Sequence, residues 1–260
     1  DWCYSAVTFQ ALKGKRVVVF GHDSMGMETA LSHVAATRNQ FGIEITRLDM
    51  KLLSDMLTKK SYDEHELLKL KKWIKSGCLN LEINEESDED NLDKSLALYL
   101  IVRDMMKELN AVGGGFMSQL EWGSDSRGIP LPVADIMESL FNSTFDHNGP
   151  KQVIPYATEA DVQALLTQLF MTWLSGGNPP LFMDFRKVWE PNEIKEFAKQ
   201  NKVKLTGKSI WEKKGFVDGV NSGSASFDWA ALPGTPHNEI IGKISFPKAV
   251  EYFSYMGNSV

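Results

Sequence analysis

The run Val17-Val18-Val19-Phe20, set behind Lys15-Arg16 and closed by Gly21, constrains this chain more than any other feature. It reads as a strand and a turn, and the stretch from Met25 to Thr37 then carries apolar residues at helical spacing. A second strand is expected over Ile43 to Leu48, with Asp49 placed to cap a helix from Met50 to about Leu57. Strand, helix and strand at this spacing predict a parallel sheet, since a parallel pair needs a crossover. The opening Asp1-Trp2, with no Met before it, reads as a trimmed chain or an internal piece of a longer one, running directly into the first strand.

Further along, Ser61 stands three residues before Glu64, a capping-box spacing that predicts a helix with the apolar stripe Leu67, Leu68, Leu70, Trp73 and Ile74, stopped by Gly77. Glu82 to Asp93 is an acidic run read as a solvated loop; no glycine sits at the sixth position of a plausible calcium loop. A long amphipathic helix is expected over Leu92 to Leu109, then a glycine-rich strand, Ala111 to Phe116, whose glycines permit close backbone approach. Val133 to Phe145 reads as a helix ending in the turn cluster Asp146-His147-Asn148-Gly149-Pro150. A short strand, Val153 to Tyr156, precedes a helix capped by Thr158 and running to Ser175. Leu181 to Met183 is the next strand, with Asp184 at its carboxyl end, and a helix beyond Pro191 reaches about Asn201 before a looser tail. The expected fold class is α/β: a parallel-sheet domain with flanking helices over 1–180, then the beginning of a second mixed α/β unit over 181–260.

Composition removes several classes of partner. With 28 Lys+Arg against 34 Asp+Glu the chain carries a formal charge of −6, which argues against nucleic acid and against an anionic membrane surface. No apolar run reaches the roughly 20 residues of a membrane helix, and Asp-Trp-Cys-Tyr is not the start of a signal peptide. Two cysteines, Cys3 and Cys78, fit a reducing cytosol, so a cytoplasmic location is expected.

Three constellations could carry chemistry. Gly21-His22-Asp23-Ser24-Met25-Gly26, between a strand and a helix, resembles a phosphate-binding loop but lacks the Lys-Ser/Thr pair of a P-loop and the third glycine of a dinucleotide fingerprint; it reads as an ordinary or substrate-facing turn. Glu159 and Asp184 each follow a short apolar strand, and in an open α/β sheet ligands bind at the carboxyl ends of strands. Two such carboxylates could hold a divalent cation or exchange a proton with a substrate; alternatively Glu159 suits the first turn of a helix and Asp184 pairs with Arg186. Asn221-Ser222-Gly223-Ser224-Ala225 could bind sugar hydroxyls or form a plain turn, and it is not the Gly-x-Ser-x-Gly of a serine hydrolase. Trp122, Trp173 and Trp189 read as packing residues.

Four ordered runs resemble blocks of the L-fucose isomerase family: Leu140 to Gly149 (LFNSTFDHNG), Ile154 to Asp161 (IPYATEAD), Phe182 to Pro191 (FMDFRKVWEP) and Asn221 to Ala225 (NSGSA). Gly14 to Gly26 and Met50 to Trp73 resemble the start of that family's second domain. The resemblance implies an aldose–ketose isomerase of the L-fucose/D-arabinose type working through a cis-enediol. It implies Mn²⁺ or another divalent cation held by Glu159 and Asp184, which double as the acid/base pair, with a third ligand, a histidine, much further on. It also implies a sugar pocket lined by Met25, Ser222 and Gln119, a small-molecule sugar as partner, and a homo-oligomer, trimeric or hexameric. Ala160 departs from the family pattern, which usually reads Asn there, and the family's Gln-rich block after Gly-Phe appears here as Gly115-Phe116-Met117-Ser118-Gln119. A non-catalytic sugar-binding or scaffolding relative that has lost the full metal site is the alternative.

Overall fold

In the computed structural model, which describes residues 2–22, 27–77, 89–117, 134–180, 184–202, 204, 214–220 and 226–230, the chain starts with a helix, α1 (Trp2–Leu12), not with the strand expected. Gly14, at φ +78°, turns it into β1 (Arg16–Phe20). The single helix expected over Met25 to Thr37 is instead a 3₁₀ turn at Glu28–Ala30 followed by α2 (Val34–Phe41). His33 keeps an extended backbone and its Nδ1 accepts the Ala36 N–H at 3.2 Å, so the helix can begin only there. Next come β2 (Glu44–Leu48) and α3 (Met50–Thr58), the latter capped by Asp49 as the sequence suggests, its Oδ1 taking the Lys51 N–H at 2.7 Å. α4 (Glu64–Gly77) starts behind Asp63 rather than Ser61: the Asp63 carboxylate accepts from the N–H groups of His65 at 2.8 Å and Glu66 at 3.1 Å. A charged acceptor wins over a hydroxyl at a positive helix end.

α5 (Glu89–Glu108) leads into β3 (Ala111–Phe116). α6 (Asp135–Phe141) is shorter than the helix read over Val133 to Phe145. The half-buried Lys151 donates its ammonium to the carbonyls of Phe141 at 3.1 Å and Ser143, taking carbonyls that a longer helix would use. A hairpin of β4 (Phe145–Asp146) and β5 (Gly149–Pro150) realises the turn cluster around His147-Asn148. After β6 (Tyr156–Ala157), α7 (Val162–Leu174) is capped by Asp161, which accepts the Ala164 N–H at 2.8 Å, and not by Thr158.

The four long-range strands form one parallel sheet in the order β2-β1-β3-β6. The α/β architecture read from the sequence is therefore present, with helices on both faces. Alternation along β1 splits its side chains: Val18 and Phe20 join the core under α3 to α6, while Val17 and Val19 join the core shared with α1 and α7. In the first core Phe20 stacks on Phe116 at 5.3 Å, Phe116 on Tyr156 at 4.8 Å and Tyr156 on Phe141 at 4.7 Å. Each such pair adds about 0.5–1.5 kcal/mol beyond the area it buries. The glycines of β3 are required by this packing. A Cβ on Gly114 would stand 2.6 Å from the Tyr156 ring and 2.9 Å from the Val18 carbonyl oxygen.

An ionic cluster ties the hairpin to the helices. Arg103 on α5 grips Glu66 on α4 with both guanidinium nitrogens, and Glu66 also meets His147 Nε2 and Asn148 Nδ2, each at 3.0 Å. The bidentate Arg103 contact holds the Glu66 carboxyl down to about 2. Tyr99 donates to Asp146 at 2.8 Å behind it.

Two compact units are present, one comprising Asp1–Leu181 with Gly223–Val260, the other Phe182–Ser222. In the first, the 3₁₀ turn Phe227–Ala230 is tied in by the Phe227 N–H to Ser143 Oγ at 2.9 Å and the Thr144 N–H to Asp228 at 2.8 Å. The second holds β7 (Asp184–Trp189), α8 (Pro191–Gln200) and β8 (Phe216–Val220), with β7 and β8 antiparallel. Pro191 opens α8, as read, and Glu193 accepts the Glu190 N–H at 3.0 Å. Trp189 packs edge-on to Phe197 at 5.7 Å, a packing role as expected.

Candidate active site

The strand order reverses direction between β1 and β3, and at such a switch point the connections leave opposite faces and open a crevice beyond the carboxyl ends. Gly21 and His22 follow β1 there, and Met117 follows β3. The Gly21 N–H donates to Leu48 O at 2.7 Å and the Met117 N–H to Phe20 O at 2.8 Å, while the His22 N–H points at Met117 Sδ at 3.2 Å. Gly21 sits at φ +93°, and a Cβ on it would lie 2.4 Å from Met117 Cβ. The amides of both residues after β1 are thus engaged, and residues 23–26 of the same loop lie outside the described residues. Arg47 Nη1 donates to the His22 carbonyl.

Glu159 stands at the carboxyl end of β6, in the 3₁₀ turn Thr158–Ala160. Its backbone is left-handed at φ 57° and ψ 21°, and Ala160 follows at φ 54°. Two successive non-glycine residues in that region cost on the order of 1–2 kcal/mol each, strain that concentrates at functional sites. Two features hold the turn. Gly115 lets it approach β3: a Cβ there would meet Ala157 O at 2.9 Å and Ala160 Cα at 3.2 Å. Below it, Thr158 Oγ1 donates to Glu138 Oε2 at 2.9 Å, and Glu138 is entirely buried on α6. Burial and the nearby Glu138 charge push the Tyr156 phenol well above its ordinary range.

Asp184 is placed differently from the expectation. Leu181 to Met183 lie outside the described residues, and Asp184 opens β7 of the antiparallel pair, opposite Val220, instead of ending a strand of the parallel sheet. Met25, Gln119, Ser222 and Trp122 lie outside the described residues. Among the described residues no group of three His, Cys, Asp or Glu side chains could close around a metal ion. Glu159 is a partly exposed hard-oxygen donor of the kind Mn²⁺ accepts, so its chemistry fits one ligand of such an ion, not a complete site. Glu138 was missed by sequence reasoning. Its signal was a lone charge among Ile136, Met137, Leu140 and Phe141, all buried.

A parallel sheet covered on both faces, with Glu159 in a left-handed turn at its carboxyl edge, defines a doubly wound α/β domain. The family model for "L-fucose isomerase, second N-terminal domain" matches residues 15–176, and the chain belongs to the L-fucose isomerase family. It is 28% identical over 255 residues to the L-fucose isomerase of Clostridium perfringens, an alignment covering 87% of this chain and 41% of that protein. The corresponding figures for Haemophilus influenzae strain PittEE are 27% over 242 residues, 84% and 38%, and for Salmonella choleraesuis 28% over 245 residues, 85% and 39%. The chain thus spans about two fifths of the length of these curated relatives. No described helix is long and apolar enough to cross a membrane.

Proposed function

We propose that the protein carrying this chain is an aldose–ketose isomerase of the L-fucose/L-fuculose or D-arabinose/D-ribulose type, and that this segment supplies part of its sugar and cation site. The observation that carries the reading is the placement of Glu159: a carboxylate held in a strained left-handed turn at the carboxyl edge of a parallel sheet, within a block that resembles the family's metal-binding one. Isomerisation moves one proton from the carbon beside the carbonyl to the carbonyl carbon and the hydroxyl proton of that neighbouring carbon to the carbonyl oxygen, so the carbonyl shifts to its neighbour with no net redox change. A carboxylate in reach of that carbon removes the proton, and the resulting acid returns it to the adjacent carbon of the cis-enediol. Glu159 and Asp184 are the proposed acid/base pair, and each supplies a hard oxygen ligand. Mn²⁺, when bound, would stabilise the negative charge that develops on the substrate oxygens. Met25, Gln119 and Ser222 are proposed to face the sugar, and a cytoplasmic homo-oligomer, trimeric or hexameric, is the proposed assembly.

The test is ketose formation from L-fucose and D-arabinose by the intact gene product with Mn²⁺, compared with Glu159→Gln and Asp184→Asn. Loss of about 10²–10⁴-fold in turnover in both variants is the expected result. An intact protein that binds sugar but turns none over would instead establish the non-catalytic relative.

A further inference from the structure

Glu138 is fully buried on α6. A carboxylate is unfavourable in such a place, and an apolar side chain of similar volume would pack there at least as well. The carboxylate accepts the Thr158 hydroxyl at 2.9 Å. Thr158 is itself almost fully buried and is the first residue of the turn in which Glu159 and Ala160 both take positive φ. One residue past α6, the Asn142 amide accepts the Tyr156 N–H and donates to the Tyr156 carbonyl, each at 2.9 Å. The segment leading into the turn is thus fixed from the α6 side at two successive points, Tyr156 through its backbone and Thr158 through its side chain.

We propose that Glu138 is a positioning residue, which through the Thr158 hydroxyl locks the 158–160 turn in its left-handed conformation and so sets the direction of the Glu159 carboxylate. A left-handed backbone at two non-glycine residues relaxes unless its surroundings over-determine it. The Glu138–Thr158 bond and the close fit over Gly115 both restrain it. For its functional consequence this inference rests on the reading of Glu159 as a metal ligand and acid/base group, while its conformational content stands in the metal-free protein.

The experiment uses the intact gene product and four variants: Thr158→Ser, which keeps the hydroxyl; Thr158→Val, which keeps the volume and removes it; Glu138→Met; and the Thr158→Val/Glu138→Met double. Hydrogen exchange of the Glu159 and Ala160 amides is measured without metal, Mn²⁺ affinity from the free-ion electron paramagnetic resonance signal, and kcat and KM separately. Thr158→Ser should match the parent throughout. Thr158→Val and Glu138→Met should each speed exchange of the two amides about tenfold or more and weaken Mn²⁺ by about 10–100-fold. They should lower kcat with little change in KM, and the double variant should be no worse than either single, since the pair acts as a unit. If circular dichroism shows Glu138→Met unfolded, the Thr158 pair carries the test alone. Parent-like exchange in Thr158→Val, or equal damage in Thr158→Ser, overturns the proposal. Faster exchange in Thr158→Val together with a parent-like Mn²⁺ affinity in Glu159→Gln would support the positioning role and remove the metal-ligand reading by itself.

Discussion

The side-chain amide of Asn142 satisfies both backbone groups of Tyr156, donating to its carbonyl and accepting its N–H at 2.9 Å each. Among the described residues β6 is the outer strand of the parallel sheet, and this amide gives Tyr156 the pair of bonds that a neighbouring strand would give. Asn142→Ala would leave a buried donor and a buried acceptor unmatched. The expected loss is about 2–4 kcal/mol, read as a lower urea midpoint at unchanged slope.

Acid should unfold this chain partly through Glu66. Its carboxyl lies near 2 in the folded state against 4.5 ordinarily, so between those values the unfolded chain binds the extra proton and stability rises with pH. The contribution, on the order of 3 kcal/mol, is fully present above about pH 5 and disappears as pH falls toward 2. Burial also lowers His147, which acts in the same direction below its ordinary 6.5. Glu66→Gln should lower stability at neutral pH and flatten the acid limb of a stability–pH curve. An unchanged limb would show that the Arg103 contact contributes little.

Gly115→Ala and Gly114→Ala should differ in kind. At Gly114 the added methyl meets the Tyr156 ring and a β1 carbonyl, so overpacking of about 1–3 kcal/mol should appear as a lower melting temperature. At Gly115 it meets the turn that carries Glu159, and displacement of that turn by about 1 Å would cost on the order of a hundredfold in rate. Melting temperature and turnover measured side by side separate the two.

Glu159→Gly should stabilise the fold. Glycine accepts φ 57° without the clash a side chain brings, and after its larger unfolded-state entropy is set against that gain, up to about 1 kcal/mol remains. Under the proposed function the same variant loses turnover. A melting temperature below the parent's would mean that the Glu159 side chain contributes more to stability than its backbone costs.

Local chemistry explains which parts of this fold were legible. Val17 to Phe20, the Asp49 cap and the glycines of β3 express preferences that neighbours in sequence decide, and all three are realised. Caps contested between two candidates were not legible, because Asp63 prevails over Ser61 by charge, and Thr158 is drawn away by a carboxylate twenty residues earlier. The setting of Asp184 depends on β8, some thirty residues further on, whose pairing leaves no local pattern. Glu138 was overlooked for a related reason: a glutamate in a helix ordinarily marks a solvated face, and that expectation outweighs its apolar neighbours until the packed α6 shows it turned inward.

β1 lies between β2, made shortly after it, and β3, which joins only when Arg16 meets Ala111; β6 and its turn come later still. During synthesis at roughly 5–20 residues per second, an apolar hairpinless edge therefore waits on the order of ten seconds for its second partner and for the strand that carries Glu159. Until then the β3-facing edge of β1 offers unpaired backbone groups to any other extended segment.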